Sequence, residues 1–110
     1  MTANEISARI ERKENALRAV AAASESVIAA KTDLEFIKTR LTLVGLEGTN
    51  DKQRQADLMA KTESERDGLA LTEKQLREAQ LELDLADLRV QEAAMLLRVF
   101  AGRRVQAAAA

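Results

Sequence analysis

The sequence predicts an all-α protein: a long antiparallel helical hairpin, built as an alanine-rich coiled coil, which we expect to assemble into a multi-helix bundle. Three observations predict it. The 110 residues include no Pro, which leaves long helices free to form. Hydrophobic residues make up 46% of the chain and aromatic residues only 2%, which favours a thin aliphatic seam over a bulky core. Apolar residues then recur every seven positions, as they do in left-handed coiled coils.

The first helix is expected from about residue 3 to residue 44. A column of large aliphatic residues and a column of small residues lie three positions apart, which we label a and d of a heptad. Lys13 interrupts the a column, and Arg9 opens the d column. The a column holds Ile6, Val20, Val27, Leu34 and Leu41, and the d column continues with Ala16, Ala23, Ala30, Ile37 and Val44.

A turn is expected at residues 45–50. Gly45 suits the residue after a helix C-terminus, where a left-handed backbone costs glycine little, and Leu46 follows as its apolar companion. Asn50 is expected to cap the second helix, with Asp51 in the first turn and Gln53 three positions on, the spacing of a capping box. A turn this short makes the two helices antiparallel neighbours, with Ala16 expected close to Ala79.

The second helix is expected from about residue 51 to residue 101, with Gly102 at its C-terminus and a frayed tail over 103–110. Its a and d columns again pair large with mostly small residues. The alternative is a break near residues 62–68, because this stretch is polar, carries a second capping-box spacing at Thr62 and Glu65, and ends in Gly68. The columns are Leu69, Leu76, Leu83, Val90 and Leu97, and Thr72, Ala79, Ala86, Ala93 and Phe100.

A second apolar stripe follows heptad positions c and f of the second helix, opposite the a/d seam. One partner helix cannot cover two opposite faces, so the stripe predicts contact with another chain. We expect a homo-oligomer, with a dimer forming a four-helix bundle, and docking on a different protein is the alternative. The C-terminal part from about Ala93 is expected to overhang the first helix. The predicted interface residues are Leu71, Leu81, Leu85, Leu88, Met95 and Val99.

Composition excludes several function classes. The chain has no His and no Cys, which removes the usual zinc ligands and imidazole or thiol catalysis. Carboxylates such as Asp84 and Asp87 alternate with basic residues such as Arg89, as on a solvated helix face, and no Gly-rich phosphate loop is present. We therefore expect no enzymatic activity, no metal and no cofactor.

The net charge of the chain limits the classes of partner that we expect. Lys and Arg number 17 and Asp and Glu 18, a net charge of -1, which argues against general affinity for nucleic acid or for an acidic membrane. No apolar run approaches the ~20 residues that span a bilayer. The C-terminal end of the second helix is nevertheless basic, with Arg98, Arg103 and Arg104 as candidate phosphate contacts. An accessory protein that binds nucleic acid through this end is the alternative function.

The segment from Gly48 to Ala56, Gly-Thr-Asn-Asp-Lys-Gln-Arg-Gln-Ala, leads into a long Leu/Ala/Glu-rich helix and resembles the small helical-hairpin proteins encoded by phages and prophages. The resemblance covers about residues 45–100, with Thr49 standing where those proteins often have Lys. It implies an accessory role in a replication or recombination region, and a cytoplasmic location in a bacterial or phage-infected cell. Secreted WXG-type hairpins also match in length, acidity, lack of Cys and helix-turn-helix form, but the turn reads Leu43-Val44-Gly45 without Trp and the chain has no Tyr, so that likeness is only architectural.

These observations together predict a non-enzymatic coiled-coil protein that acts through self-association and protein–protein interaction, as a scaffold, an adaptor or a partner-binding inhibitor.

Overall fold

The structure, a computed structural model, describes the backbone of residues 1–109 and the side chains of residues 1–103. It confirms the all-α fold class and the helical hairpin. Within the described residues there are three helices and no strand: α1 (Ala3–Val44), α2 (Asp51–Lys61) and α3 (Glu63–Ala109). The chain divides into a terminal unit, Met1–Val20 with Glu78–Ala110, and a central unit, Ala21–Arg77.

The first helix begins at a reciprocal cap that sequence reasoning overlooked. The amide of Glu5 donates to the Thr2 hydroxyl at 3.2 Å, and the amide of Thr2 donates to the Glu5 carboxylate at the same distance. This is the Thr-x-x-Glu capping box, which satisfies two amides that the first helical turn leaves without partners. The spacing is visible in the sequence and could have been found there.

The inner seam of each unit follows the expected heptad. In the terminal unit, Ala86 and Ala93 are each only 4% exposed, and the neighbouring large residues Leu83 and Val90 are half-buried. In the central unit, Val27 and Leu34 form the buried apolar residues of α1. Small residues are buried most completely in the terminal unit because their short side chains let the helix backbones approach closely.

The connection between α1 and α2 contains two residues with positive φ, Gly45 at 104° and Gly48 at 130°. Asn50 caps α2 as expected, because its side-chain oxygen accepts from the Gln53 amide at 2.9 Å. In a regular capping box the Gln53 side chain would accept a hydrogen bond from the amide of Asn50. Here it accepts from the amide of the preceding residue, Thr49, at 2.8 Å.

The stretch that was expected to form one second helix forms two, α2 and α3. The alternative break is therefore the one observed, and it lies at Thr62. Thr62 is 1% exposed, and its hydroxyl donates to the Leu58 carbonyl at 2.7 Å. The Arg66 guanidinium donates to the Met59 carbonyl. Both side chains thus donate hydrogen bonds to backbone carbonyls near the C-terminal end of α2. A Thr hydroxyl that bonds to the backbone in this way weakens the regular hydrogen-bond pattern of a helix. The Thr62–Glu65 capping box is not formed, and Gly68 lies inside α3.

Two expectations about the C-terminal helix are wrong. The helix does not end at Gly102 or at residue 101 but continues to Ala109. The pairing of Ala16 with Ala79 would place Lys13 opposite Glu82, whereas Lys13 Nζ contacts Asp87 Oδ1 at 2.7 Å, five residues further on. With that shift, Ala93 no longer overhangs α1.

Candidate interaction surface

The outer stripe of the terminal unit comprises Leu81, Leu85, Leu88, Met95 and Val99, and every one of its side chains is exposed. Their exposed fractions run from 45% at Leu85 to 65% at Met95. The helical repeat explains this placement, because positions c and f lie on the side of α3 away from the a/d seam that faces α1. The structure therefore brings these five predicted interface residues onto one open face.

Glu92 interrupts this stripe and connects it to α1. Its carboxylate lies 3.4 Å from Arg9 Nη1, and the same nitrogen donates to the Arg89 carbonyl at 2.9 Å. Arg9 is the charged residue of the d column of α1, and its long guanidinium reaches past the seam to a polar partner. The polar residue in the outer stripe and the polar residue in the inner seam thus satisfy each other.

Lys13, the exception in the large-residue column, is also paired. Its ammonium contacts Asp87 at 2.7 Å, and the Gln91 side chain donates to the other Asp87 oxygen at 2.8 Å. These donors, Lys13 first, hold the pKa of the Asp87 carboxyl below its ordinary value. The charged residues in the inner seam of the terminal unit therefore have ion-pair partners within the same unit. The apolar residues of the outer stripe, in contrast, remain exposed.

The groove near the start of α1 shows that the helices still overlap where an overhang was expected. Ile6 and Ile10 of α1 line it together with Val90, Ala93 and Leu97 of α3. Ala93 is buried there, and Leu97 is about half exposed.

The central unit carries exposed apolar side chains of its own. Leu71, predicted as part of the interface, is 56% exposed. Ile28, Phe36 and Leu43 of α1 are more exposed still, and Phe36 lines a shallow depression whose other residues are polar. Phe36 and Leu43 occupy the c position of the α1 heptad and Ile28 a b position, and none of the three is among the predicted interface residues.

The central unit also contains the best-connected carboxylate of the turn region. Asp57 Oδ2 accepts from the Glu47 amide at 2.9 Å and contacts Lys61 Nζ at 3.0 Å. The Glu47 amide, followed by the Lys61 ammonium, lowers the pKa of Asp57, and the same contact raises the pKa of Lys61. Asp57 therefore fastens the connecting segment to α2, a role that sequence spacing did not reveal.

The structure describes the side chains of two of the three predicted phosphate contacts. The side chains of Arg98 and Arg103 are exposed, and that of Arg104 lies outside the described residues. A different set of arginines shares one groove: Arg9, Arg12 and Arg89 line it together with Glu92. This juxtaposition depends on the pairing of α1 with α3, and no sequence motif signals it.

Among the described residues, no group of three or more carboxylate, His or Cys side chains is placed to hold a metal ion. None of the helices in this part of the chain combines the length and hydropathy needed to cross a bilayer. Comparison with known proteins finds no matching family model, no similar curated protein and no similar solved structure.

Proposed function

We propose that this protein acts without enzymatic chemistry, as a coiled-coil protein whose outer stripe binds other chains, and a second copy of itself first of all. The observation that carries the proposal is the open face formed by Leu81, Leu85, Leu88, Met95 and Val99. Exposed large aliphatics are ordinary when scattered, but a row of five on one helix face, interrupted only by Glu92, is typical of an interaction site.

The size of the driving force supports association. Burying a large aliphatic side chain contributes about 1.5–3 kcal/mol, and these residues are about half exposed. The five together would therefore contribute roughly 4–8 kcal/mol per chain before the entropic cost of association is subtracted. When both chains contribute the same face the gross figure is roughly 8–16 kcal/mol, whose upper end reaches the ~8 kcal/mol of a micromolar dimer after that cost.

An accessory, binding role is also what the resemblance to phage-encoded hairpins implies. A scaffold, an adaptor or a partner-binding inhibitor would each use helix-on-helix packing of this kind.

The test is the molar mass in solution, measured by light scattering at micromolar concentration. We expect the parent chain to be a dimer and Leu85→Glu to be a monomer, because a carboxylate at position 85, without the Arg9 partner that Glu92 has, cannot be buried among aliphatic side chains without a large cost. The double variant Leu85→Glu/Leu88→Glu should be a monomer with unchanged helix content by circular dichroism. A parent chain with the mass of one molecule would refute the proposal.

A matched control lies on the other helix of the same unit. Leu17 of α1 is 48% exposed, against 45% for Leu85, but it lies outside the outer stripe. Leu17→Glu should therefore leave the dimer intact, and loss of the dimer in this variant as well would move the interface away from α3. A gel shift at low salt that Arg98→Ala/Arg103→Ala abolishes would instead favour the nucleic-acid alternative.

A further inference from the structure

The outer stripe of the terminal unit has the spacing of a second coiled-coil seam. From Leu81 the positions step alternately by four and three residues through Leu85, Leu88, Glu92, Met95 and Val99. This is the spacing of a and d positions, and it predicts packing against another helix of similar length. We propose that the occupant is α3 of a second copy of this chain, running antiparallel to the first, an inference that rests on the self-association proposed above.

Charge complementarity favours a second copy as the occupant. The flanks of the stripe are acidic near its beginning, at Glu82 and Asp84, and basic near its end, at Arg98 and Arg103. An antiparallel copy brings the acidic start of one stripe beside the basic end of the other, twice by symmetry.

The register follows from matching apolar positions. A two-fold axis near residue 90 places Leu81 opposite Val99 and Leu85 opposite Met95 of the second copy. Leu88 then lies opposite Glu92. In this register four of the six layers are wholly apolar, and each Glu92 faces a leucine rather than another carboxylate. Asp84 and Arg98 become neighbours on the flank of the pair.

The parallel arrangement is the competitor, and the position of Glu92 decides against it. Parallel chains would put the two Glu92 carboxylates, each 3.4 Å from its own Arg9, in one layer of the seam, where like charges repel. Their flanking pairs, Arg77 with Glu82 and Asp84 with Arg89, would attract, but exposed ion pairs contribute little. In the antiparallel pair the two Arg89 side chains approach the axis, and the two Asp84–Arg98 pairs on the flanks offset their repulsion.

The angle between the two apolar faces of α3 determines how the four helices of the dimer are arranged in this unit. The centres of the a/d and c/f faces lie about 150–160° apart around a helix. The two α3 helices would therefore lie in the middle of a row, each with its own α1 on the far side, instead of forming a square bundle.

Disulfide trapping tests the orientation, since the chain has no Cys of its own. Two single variants are made, Leu85→Cys and Met95→Cys, and each is oxidised alone and in an equal mixture. In the antiparallel pair the two copies of residue 85 are ten positions apart along the axis, about 15 Å, too far for a disulfide. We expect covalent dimers in the mixture, containing one chain of each variant, and none in either variant alone.

The other outcomes separate the inference from the proposed function. Cross-linking of each variant by itself would show a parallel pair and overturn the inference, while leaving self-association in place. A dimer mass with no disulfide in any sample would place the interface on another face and would also overturn it. A single-chain mass for the parent protein would remove the proposed function together with the inference.

Charge reversal tests the antiparallel orientation independently, because a second substitution should restore the dimer that the first one weakens. Asp84→Arg and Arg98→Asp should each weaken dimerisation by about tenfold, because each creates two like-charge contacts in the symmetric pair. The double variant Asp84→Arg/Arg98→Asp restores opposite charges and should recover most of the parent affinity, measured as a Kd by sedimentation equilibrium. Additive effects of the two substitutions would show that these residues are not neighbours; in parallel chains Arg98 lies beside Arg103, so Arg98→Asp alone should strengthen the dimer.

Discussion

Two glycines in the connection between α1 and α2 have positive φ but different surroundings, and replacing each by Ala tests how closely the chain turns. Gly45 has φ of +104°, and an added Cβ would meet no heavy atom within 4 Å. Gly48 has φ of +130°, and an added Cβ would lie 2.6 Å from Gln53 Cβ and 3.0 Å from the Arg54 amide nitrogen. Both substitutions strain the backbone, whereas only Gly48→Ala also collides with the start of α2.

The magnitudes follow from those two costs. A left-handed backbone costs Ala about 1–2 kcal/mol, so Gly45→Ala should lower the free energy of unfolding by that amount. At Gly48 the displacement of neighbouring atoms adds about 1–3 kcal/mol, for a total loss of roughly 2–5 kcal/mol. Gly68 is helical and has open space around it, so Gly68→Ala should raise the free energy of unfolding by about 1 kcal/mol.

The assay is urea denaturation followed by far-ultraviolet circular dichroism. All variants are compared at one chain concentration, because self-association would add stability that depends on concentration. Equal losses for Gly45→Ala and Gly48→Ala would refute the reasoning, since they would mean that Gln53 does not pack against the turn. A loss at Gly68→Ala would contradict its position inside a regular helix.

Two further predictions concern the ion pairs. The carboxyls of Asp57 and Asp87 have pKa values below the ordinary 3.8, so both stabilise the fold at neutral pH and lose that contribution as the pH falls from about 5 through their lowered values. The urea midpoint should fall on acidification, and Asp57→Asn/Asp87→Asn should flatten that fall; an unchanged pH profile would contradict the assignment. Lys13→Leu should raise the free energy of unfolding by about 1 kcal/mol, because a partly exposed ion pair contributes less than a leucine in the seam. A loss of stability in the same urea assay would instead show that the pair with Asp87 outweighs apolar packing.

Local chemistry accounts for what could be predicted. The cap at Asn50 and the glycine turn depend on residues within a few positions of one another, and the structure forms both. The first helix has the bounds that its heptads indicated. The outer stripe, too, was visible as a spacing, and its exposure follows from the helical repeat once the opposite face is occupied.

Features that depend on distant residues could not be predicted. The position of the break depends on Thr62 being buried and on Arg66 reaching back to the Met59 carbonyl, and the sequence offered Gly68 as an equally good place. The pairing of Lys13 with Asp87 shifts the register by five residues from the one that the turn suggested. The role of Asp57 required the Glu47 amide, ten residues away, to be placed against its carboxylate.

The sequence by itself determined the all-helical character of the chain, its inner seam and the apolar stripe left over on the opposite face, because helical periodicity assigns every residue to a face. Only the tertiary structure decided which residues meet across the seam. Charged side chains such as Arg9 and Lys13 select among registers that the apolar heptads leave nearly equal in energy, and their partners, Glu92 and Asp87, lie far along the chain. The candidate interaction surface thus follows from periodicity, and the pairing of its one polar residue, Glu92, with Arg9 follows from the fold.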